Sequence, residues 1–291
     1  YVNFNVESTQ VSISPDKSQI FITVNVDEGR QYRIGDVRFV GDLQISEREA
    51  RELLRVESGE VFSRSDVTAS SEALRARLGA EGFAFANVDG IPEVSASGDT
   101  VDLAFRVDAG RRAYVRRIEF IGNTTTQDEV LRREMIQLEG APASTQSITQ
   151  SRQRLERLGF FRQVDVETRP VAGEPDKLDV TYTVEEQPSG SISASVGFSQ
   201  SAGVIYGLGL SQTNFLGTGN RVNIGAQRSD TFTSVNFGFT DPYWTLDGIS
   251  RGYNFYYRET DYEDSDISTY STDAYGAGIN FGYPINEITR L

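Results

Sequence analysis

The chain has no cysteine and no histidine. The first absence removes disulfides and thiolate metal sites. The second removes the commonest general base and the commonest metal ligand. Only two lysines occur, Lys17 and Lys177, so a nucleophile–base pair would have to rest on serine, carboxylates and these two amines. No enzyme is expected, no catalytic residue is assigned, and no cofactor or metal centre is anticipated. Basic charge is scarce as well. Against 42 acidic residues stand 28 Lys and Arg, giving a net charge of −14, the wrong sign for a nucleic-acid partner. A further absence is any long apolar run. Nothing approaches the roughly 20 apolar residues of a membrane-spanning helix. Helical spans are therefore excluded, but a β-barrel is not, because its strands expose apolar groups only at alternate positions. No secretory signal is visible, and the chain opens inside what reads as a strand, Tyr1–Val6, so the sequence is expected to be a piece of something longer.

What the chain does have is internal repetition. Val26-Asp27-Glu28-Gly29, Val107-Asp108-Ala109-Gly110 and Val184-Glu185-Glu186-Gln187 each close an alternating strand. Gly82-Phe-Ala-Phe-Ala-Asn-Val88 matches Gly159-Phe-Phe-Arg-Gln-Val164, and Val37-Arg-Phe-Val-Gly41 matches Ile118-Glu-Phe-Ile-Gly122. Four segments follow: residues 1–29 as the end of one repeat, 30–110 and 111–188 as two complete ones, and 189–291 as something different. Each complete repeat reads strand, helix, helix, strand, strand. In the first, Tyr32–Val40 alternates, and Ser46-x-x-Glu49 is a capping-box pattern that opens a helix through Leu54. A second helix carries Val67, Leu74 and Leu78 on one face and stops at Gly79 or Gly82. Strands near Ala84–Ile91 and Thr100–Val107 flank a Ser97-Gly98-Asp99 turn. In the second, the strand Tyr114–Ile121 precedes Thr126-x-x-Glu129, which predicts a helix to Leu138. A helix with Ile148, Leu155 and Leu158 follows, then strands near Gln163–Arg169 and Leu178–Glu185. Two amphipathic helices on one face of a three-stranded sheet make a small α+β domain.

From Gly190 onward charges retreat to the turns and aromatics multiply. Six strands are predicted, at 191–199, 204–213, 220–229, 232–240, 249–259 and 272–283, each near the ~9–11 residues that cross a bilayer at a tilt. Ile192, Val196, Phe198, Tyr206, Leu208, Leu210, Val222, Ile224, Val235, Phe237, Phe239, Tyr253, Phe255, Tyr257, Tyr275, Ile279, Phe281 and Tyr283 fall on one face. Gly207, Gly209, Asn223, Gln227, Asn254 and Arg258 fall on the other, which suits a wet lumen. Tyr243 and Trp244, just past Asp241-Pro242, occupy the place of a membrane-interface belt. A soluble β-sandwich could use the same alternation, but it would rarely place so many aromatics on one face. Six strands do not close around an interior, since about eight make the smallest barrel. Arg290-Leu291 read as the entry to a seventh.

The repeat plan, with Gly-Phe-Phe before the second strand and Val-Glu-Glu ending the third, resembles the POTRA domain. Asn214-Phe-Leu-Gly-Thr-Gly-Asn220, Thr240-Asp-Pro-Tyr243, and Leu131-Arg-Arg-Glu-Met135 with Leu138-Glu139-Gly140 resemble the BamA outer-membrane assembly family. In order, the chain matches the end of a third POTRA domain, the fourth, the fifth and the first barrel strands. The expected fold is therefore α+β POTRA repeats followed by an incomplete antiparallel transmembrane β-barrel. The resemblance implies the central subunit of a machine that folds and inserts client barrels into a Gram-negative outer membrane, with POTRA domains in the periplasm. It implies three kinds of partner: the lipid bilayer, unfolded outer-membrane clients and accessory lipoproteins like BamD. The rival readings are a two-partner secretion transporter and a passive porin or receptor barrel with periplasmic binding domains.

Three features could carry that function. Ser191, Ile192, Ser193, Ala194, Ser195, Val196, Gly197, Phe198 and Ser199 form a strand rich in serine and glycine, which pairs with little side-chain locking. In the family the first barrel strand lines a lateral gate, so the resemblance implies that role here; otherwise the small residues pack the lumen. The second feature is the repeat edge, with Phe85 and Val88 in one copy and Val164 and Val166 in the other, which would bind extended clients by strand addition. Arg162, Asp165, Glu167 and Arg169 could equally guard that edge. The third follows from the resemblance: Arg132 and Glu139 match the positions that dock the lipoprotein, on one helical face if the helix extends that far. A solvated charged face is the alternative. The acidic run Glu259–Asp266 lacks calcium-loop spacing and reads as a solvated loop. Gly217-x-Gly219 precedes a strand rather than a helix, against a phosphate cradle.

Overall fold

Ser46 and Ser63 each turn the chain into a helix. The Ser46 hydroxyl accepts from the Glu49 amide (3.2 Å) to open α1 (Glu47–Glu52), and Ser63 accepts from the Asp66 amide (3.3 Å) to open α2 (Arg64–Ala80). The computed structural model describes residues 5–14, 17–27, 29–95, 98–261 and 270–285. Tyr1–Phe4 of the first expected strand, Glu28, Ser97 of the expected turn, the acidic run beyond Asp261, and Arg290-Leu291 lie outside the described residues. Two compact units divide the chain. One comprises Tyr1–Arg117, Gln137–Thr149 and Arg169–Asp179; the other comprises Ile118–Ile136, Gln150–Thr168 and Val180–Leu291.

The first unit begins with an antiparallel hairpin, β1 (Asn5–Ile13) and β2 (Ile20–Asp27). Next come β3 (Arg33–Gly41), α1, α2, β4 (Asn87–Val94) and β5 (Thr100–Asp108). The sheet order is β3-β5-β4, with β5 parallel to β3 and antiparallel to β4. Central β5 buries Val101, Leu103, Phe105 and Val107, which form one core with Val67, Leu74 and Leu78 of α2. The expected helical stripe is thus the buried one.

The second repeat runs β6 (Tyr114–Ile121), α3 (Asp128–Arg132), α4 (Thr145–Arg157), β7 (Phe161–Val171) and β8 (Glu174–Glu186), with sheet order β6-β8-β7. The repetition extends to a buried polar contact. Ser70 and Ser151, both fully buried, accept from the backbone amides of Arg55 (2.8 Å) and Ile136 (2.9 Å). Each contact spans the same 15 residues.

The same repeat also departs from expectation. The helix opened near Thr126 ends at Arg132, not at Leu138. The Glu134 and Met135 amides tighten onto the carbonyls of Leu131 and Arg132 (both 3.1 Å) instead of those four residues back, and the Ile136 amide then goes to Ser151. Arg132 and Glu139 therefore do not share a helical face. The N-cap is Gln127, with no side-chain cap bond, rather than Thr126. In the first repeat β4 starts at Asn87, which leaves Phe85 in a turn rather than a strand.

Beyond Gly190 six strands form an antiparallel meander: β9 (Gly190–Ser199), β10 (Gly203–Phe215), β11 (Asn220–Arg228), β12 (Phe232–Asp241), β13 (Ser250–Asp261) and β14 (Ser271–Gly282). Pairing places Ile192, Leu210, Ile224, Phe237, Phe255 and Ala277 in one row across all six strands. Ala194, Leu208, Ala226, Val235, Tyr257 and Tyr275 form the next row on that face. The opposite face has rows such as Ser191, Ser211, Asn223, Gly238, Asn254 and Gly278. Because side chains alternate with period two, this register sorts apolar from polar residues through the middle rows of the sheet. No helix among the described residues is long and apolar enough to cross a membrane, which bears only on helices.

Candidate functional site: an open strand and the turn that anchors it

Strand β9 lies at one edge of the six-stranded sheet and, among the described residues, pairs only with β10. Its residues are exposed on both faces; Ile192 is 83% and Phe198 80% accessible. The contact with β10 is built from small groups. A Cβ on Gly207 would lie 2.4 Å from the Ser195 hydroxyl, and one on Gly209 would lie 2.7 Å from that of Ser193. Hydroxyls opposite bare backbone give β9 few interlocking side chains, so its hold on β10 rests largely on the ladder of backbone hydrogen bonds.

The foot of β9 is held tightly. Glu186, the last residue of β8, accepts from the Thr124 hydroxyl (2.8 Å) and from the amides of Thr125 (3.0 Å) and Thr126 (2.7 Å). Burial pushes its carboxyl up, but the hydrogen bonds from Thr126, Thr124 and Thr125 outweigh it and hold the pKa at about 2. The Thr126 hydroxyl in turn accepts from the buried Asn214 amide (2.9 Å), whose oxygen accepts from the Gly219 amide (2.7 Å). The Gln127 amide donates to the Gly217 carbonyl (2.9 Å). The β10–β11 turn is thereby clamped to the loop 124–127. Its two glycines make the approach possible. Both have φ +74, and a Cβ would lie 2.0 Å from the Thr125 carbonyl at Gly217 and 2.3 Å from the Arg133 guanidinium at Gly219. Arg133 lies over the Tyr243 ring (4.3 Å), and burial lowers its pKa. Above the clamp, Ser189 receives the Thr213 amide and hydroxyl (both 2.9 Å) on its carbonyl and the Gln212 amide (2.9 Å) on its hydroxyl. An open cavity of about 520 Å³ lies beside these groups, with Glu186, Ile192, Leu210 and Asn214 in its wall.

The other sequence-derived residues are distributed as follows. Both β4 and β7 are edge strands. Val88 and Val164 are buried, Val166 is half-buried, and Phe85 is exposed in its turn. The buried valines face away from any added strand, which leaves only backbone for strand addition, and each edge strand contains a proline, Pro92 and Pro170. Arg132 is engaged within its own domain: it donates to Asp128 and to the Ile118 carbonyl and lies over Phe120 (5.4 Å). Glu139 lies beyond the end of α3 and is exposed. Trp244 packs on Phe281 (5.5 Å). Sequence reasoning assigned no functional role to Glu186 or Asn214 and read Thr126 only as a helix-opening residue. Their one shared signal was that Asn214 opens the turn motif and Glu186 ends the Val-Glu-Glu motif.

Residues 32–110 and 113–187 match the POTRA family, described as a surface antigen variable number repeat, and 214–291 match the Omp85 superfamily domain. The outer membrane protein assembly factor BamA of Neisseria meningitidis serogroup B is 35% identical over 100% of this chain and 37% of its own length. BamA of Buchnera aphidicola is 28% identical over 100% of this chain and 47% of its own length. The chain thus spans less than half the length of these curated relatives. A crystal structure of Haemophilus ducreyi BamA lacking POTRA domains 1–3 superposes with a TM-score of 0.76 and 37% identity, over 88% of this chain and 48% of that one. The POTRA 3–5 fragment of Haemophilus influenzae BamA gives 0.59 and 35%, over 64% and 74%. Two POTRA repeats lead into a sheet with one apolar face, and the similarity to the two curated BamA proteins runs the length of this chain. The chain is an outer-membrane protein with its POTRA domains in the periplasm, and it belongs to the BamA family.

Proposed function

We propose that this chain is part of the central subunit of an outer-membrane β-barrel assembly machine, with segments 1–29, 30–110 and 111–188 as successive POTRA domains and 189–291 as the start of the barrel. The observation that carries the reading is the passage from two POTRA repeats into a sheet with one apolar face, whose first strand, β9, meets β10 through serine hydroxyls set against glycine backbone. Ser191–Ser199 act as a lateral gate: an incoming client strand adds to this edge through backbone hydrogen bonds. The driving force is burial of the client's apolar strands in lipid, so no nucleotide is required. The barrel also perturbs the bilayer nearby and lowers the insertion barrier.

In the same reading, the backbones of β4 and β7 near Phe85, Val88, Val164 and Val166 receive extended clients, and Tyr243 and Trp244 sit at the membrane boundary. Arg132 and Glu139 form the lipoprotein-docking pair in this reading, with Glu139 exposed beyond the end of α3. Glu139→Arg is therefore expected to reduce co-purification of the lipoprotein while leaving the barrel's heat-modifiable mobility intact. Undiminished co-purification removes Glu139 from the interface. The central test uses the full-length protein in liposomes with an unfolded barrel client. The client is expected to fold faster than in empty liposomes, and a disulfide tying β9 to the facing barrel strand is expected to abolish the gain. Conductance without any acceleration of client folding would mark a passive porin.

A further inference from the structure

The outward, apolar face of the sheet carries one cation at the end nearest the β12–β13 turn. By register Arg251 lies on that face, opposite Asp241 on β12 and Phe281 on β14. Along β13 the same face continues with Tyr253, Phe255 and Tyr257 and ends at Glu259, so an apolar band is bounded by charge at both ends. The Arg251 guanidinium lies over the rings of Trp244 (5.0 Å) and Tyr253 (5.3 Å). Its Nε is buried without a hydrogen-bond partner, and Arg251 makes no ion pair or hydrogen bond with any described residue. The facing Asp241 forms no ion pair with it, and its Oδ1 accepts from the Tyr243 amide (3.1 Å). The clamped turn and loop 124–127 lie at this end of the sheet, which makes it the POTRA side of the membrane.

An arginine at the rim of a hydrocarbon-facing band keeps its stem on apolar surface and turns its head toward water and headgroups. Aromatic rings hold the guanidinium plane without supplying a counter-charge. The acceptor available at that depth is a lipid phosphate, which offers a negative charge and oxygens matched to the guanidinium fork. We propose that Arg251, Trp244 and Tyr253 form a site for the phosphodiester headgroup of a glycerophospholipid in the periplasmic leaflet, its acyl chains lying over Ile279 and Phe281. The proposal rests on the lipid-facing reading of this surface.

The test uses the full-length protein in nanodiscs containing phosphatidylglycerol with a photoactivatable group beside the headgroup, and maps cross-links by peptide mass. Cross-links are expected within residues 242–254. Arg251→Gln should lower their yield about tenfold, the scale of one lost charge-assisted hydrogen bond, while Arg251→Lys should retain most of it. No cross-link at 242–254 in the unaltered protein overturns the site even if Arg251→Gln does not fold, and so does equal yield in Arg251→Gln. Loss of the wild-type cross-link on adding millimolar inorganic phosphate would reveal a general anion site and overturn the lipid assignment. A parallel Ile279→Cys variant separates the two readings. Its thiol should react with a lipid-soluble reagent and resist a water-soluble one. If it does so while the Arg251 arms fail, only the headgroup site falls; if it reacts from water, the membrane-facing surface falls with it.

Discussion

Glu186 accepts from three successive threonines, the Thr125 amide being shared between both carboxylate oxygens, and its charge is what makes these bonds strong. Because its folded pKa is depressed to about 2, the stability it contributes is present above the ordinary carboxylate range and fades as pH falls from there through about 2. Glu186→Gln should lower the unfolding free energy by about 1–3 kcal/mol near pH 7, with the gap to wild type closing between roughly pH 4.5 and 2. Paired melts over that range measure it; a pH-independent gap would mean that packing, not charge, holds the loop. Asn214→Ala should be similarly disruptive, because it strands the Gly219 amide and removes the donor to Thr126. Thr126 shows why this clamp was not legible in the sequence. Thr126-x-x-Glu129 has capping-box spacing, and spacing sees only local partners. The hydroxyl's actual partner, Asn214, lies 88 residues away. A local pattern therefore gave way to a tertiary hydrogen bond.

At the level of elements the sheet was read well, because a period of two survives in sequence even without partners. All six barrel strands fall within a few residues of their expected bounds, and Val67, Leu74 and Leu78 are the buried stripe of α2. Register was not legible, since it depends on which residues meet across strands. One consequence of the register is a set of glycine–asparagine pairs on the polar face. Gly225 faces Asn236, Gly252 faces Asn280 and Gly278 faces Asn254, and in each a Cβ on the glycine would come within 2.4 Å of the amide oxygen. Gly225→Val should therefore displace Asn236 and destabilise the sheet by about 1–3 kcal/mol, read by urea unfolding in lipid vesicles. The exchange Gly225→Asn with Asn236→Gly conserves volume across the pair and should recover much of the loss. Additive losses in the double variant would show that the two positions do not pack on each other. In the POTRA repeats the helix ends were the weak point: α3 stops early as the Glu134 amide turns to the Leu131 carbonyl and the Ile136 amide goes on to Ser151, contacts no helical pattern encodes.

At the scale of the whole chain, charge and surface act in opposite directions. A net charge of −14 favours dispersion in water. Against it stands a six-stranded sheet whose apolar face is bare; Tyr275 is 75% exposed and Ile279 64%. Both β9 and β14 add ladder groups that have no partner strand among the described residues. Charge repulsion is screened over a Debye length of about 8 Å at physiological salt, whereas apolar contact and strand pairing act at contact and are not weakened by salt. Association should therefore win: the polypeptide Tyr1–Leu291 should sediment as large assemblies in buffer, more so as salt is raised, and as a single species once detergent exceeds its micelle concentration. Sedimentation velocity across salt and detergent decides the matter. A monodisperse monomer in detergent-free buffer at micromolar concentration would mean that Phe237, Phe255 and Phe281 are covered by protein, and the surface assigned to lipid would belong to a soluble core.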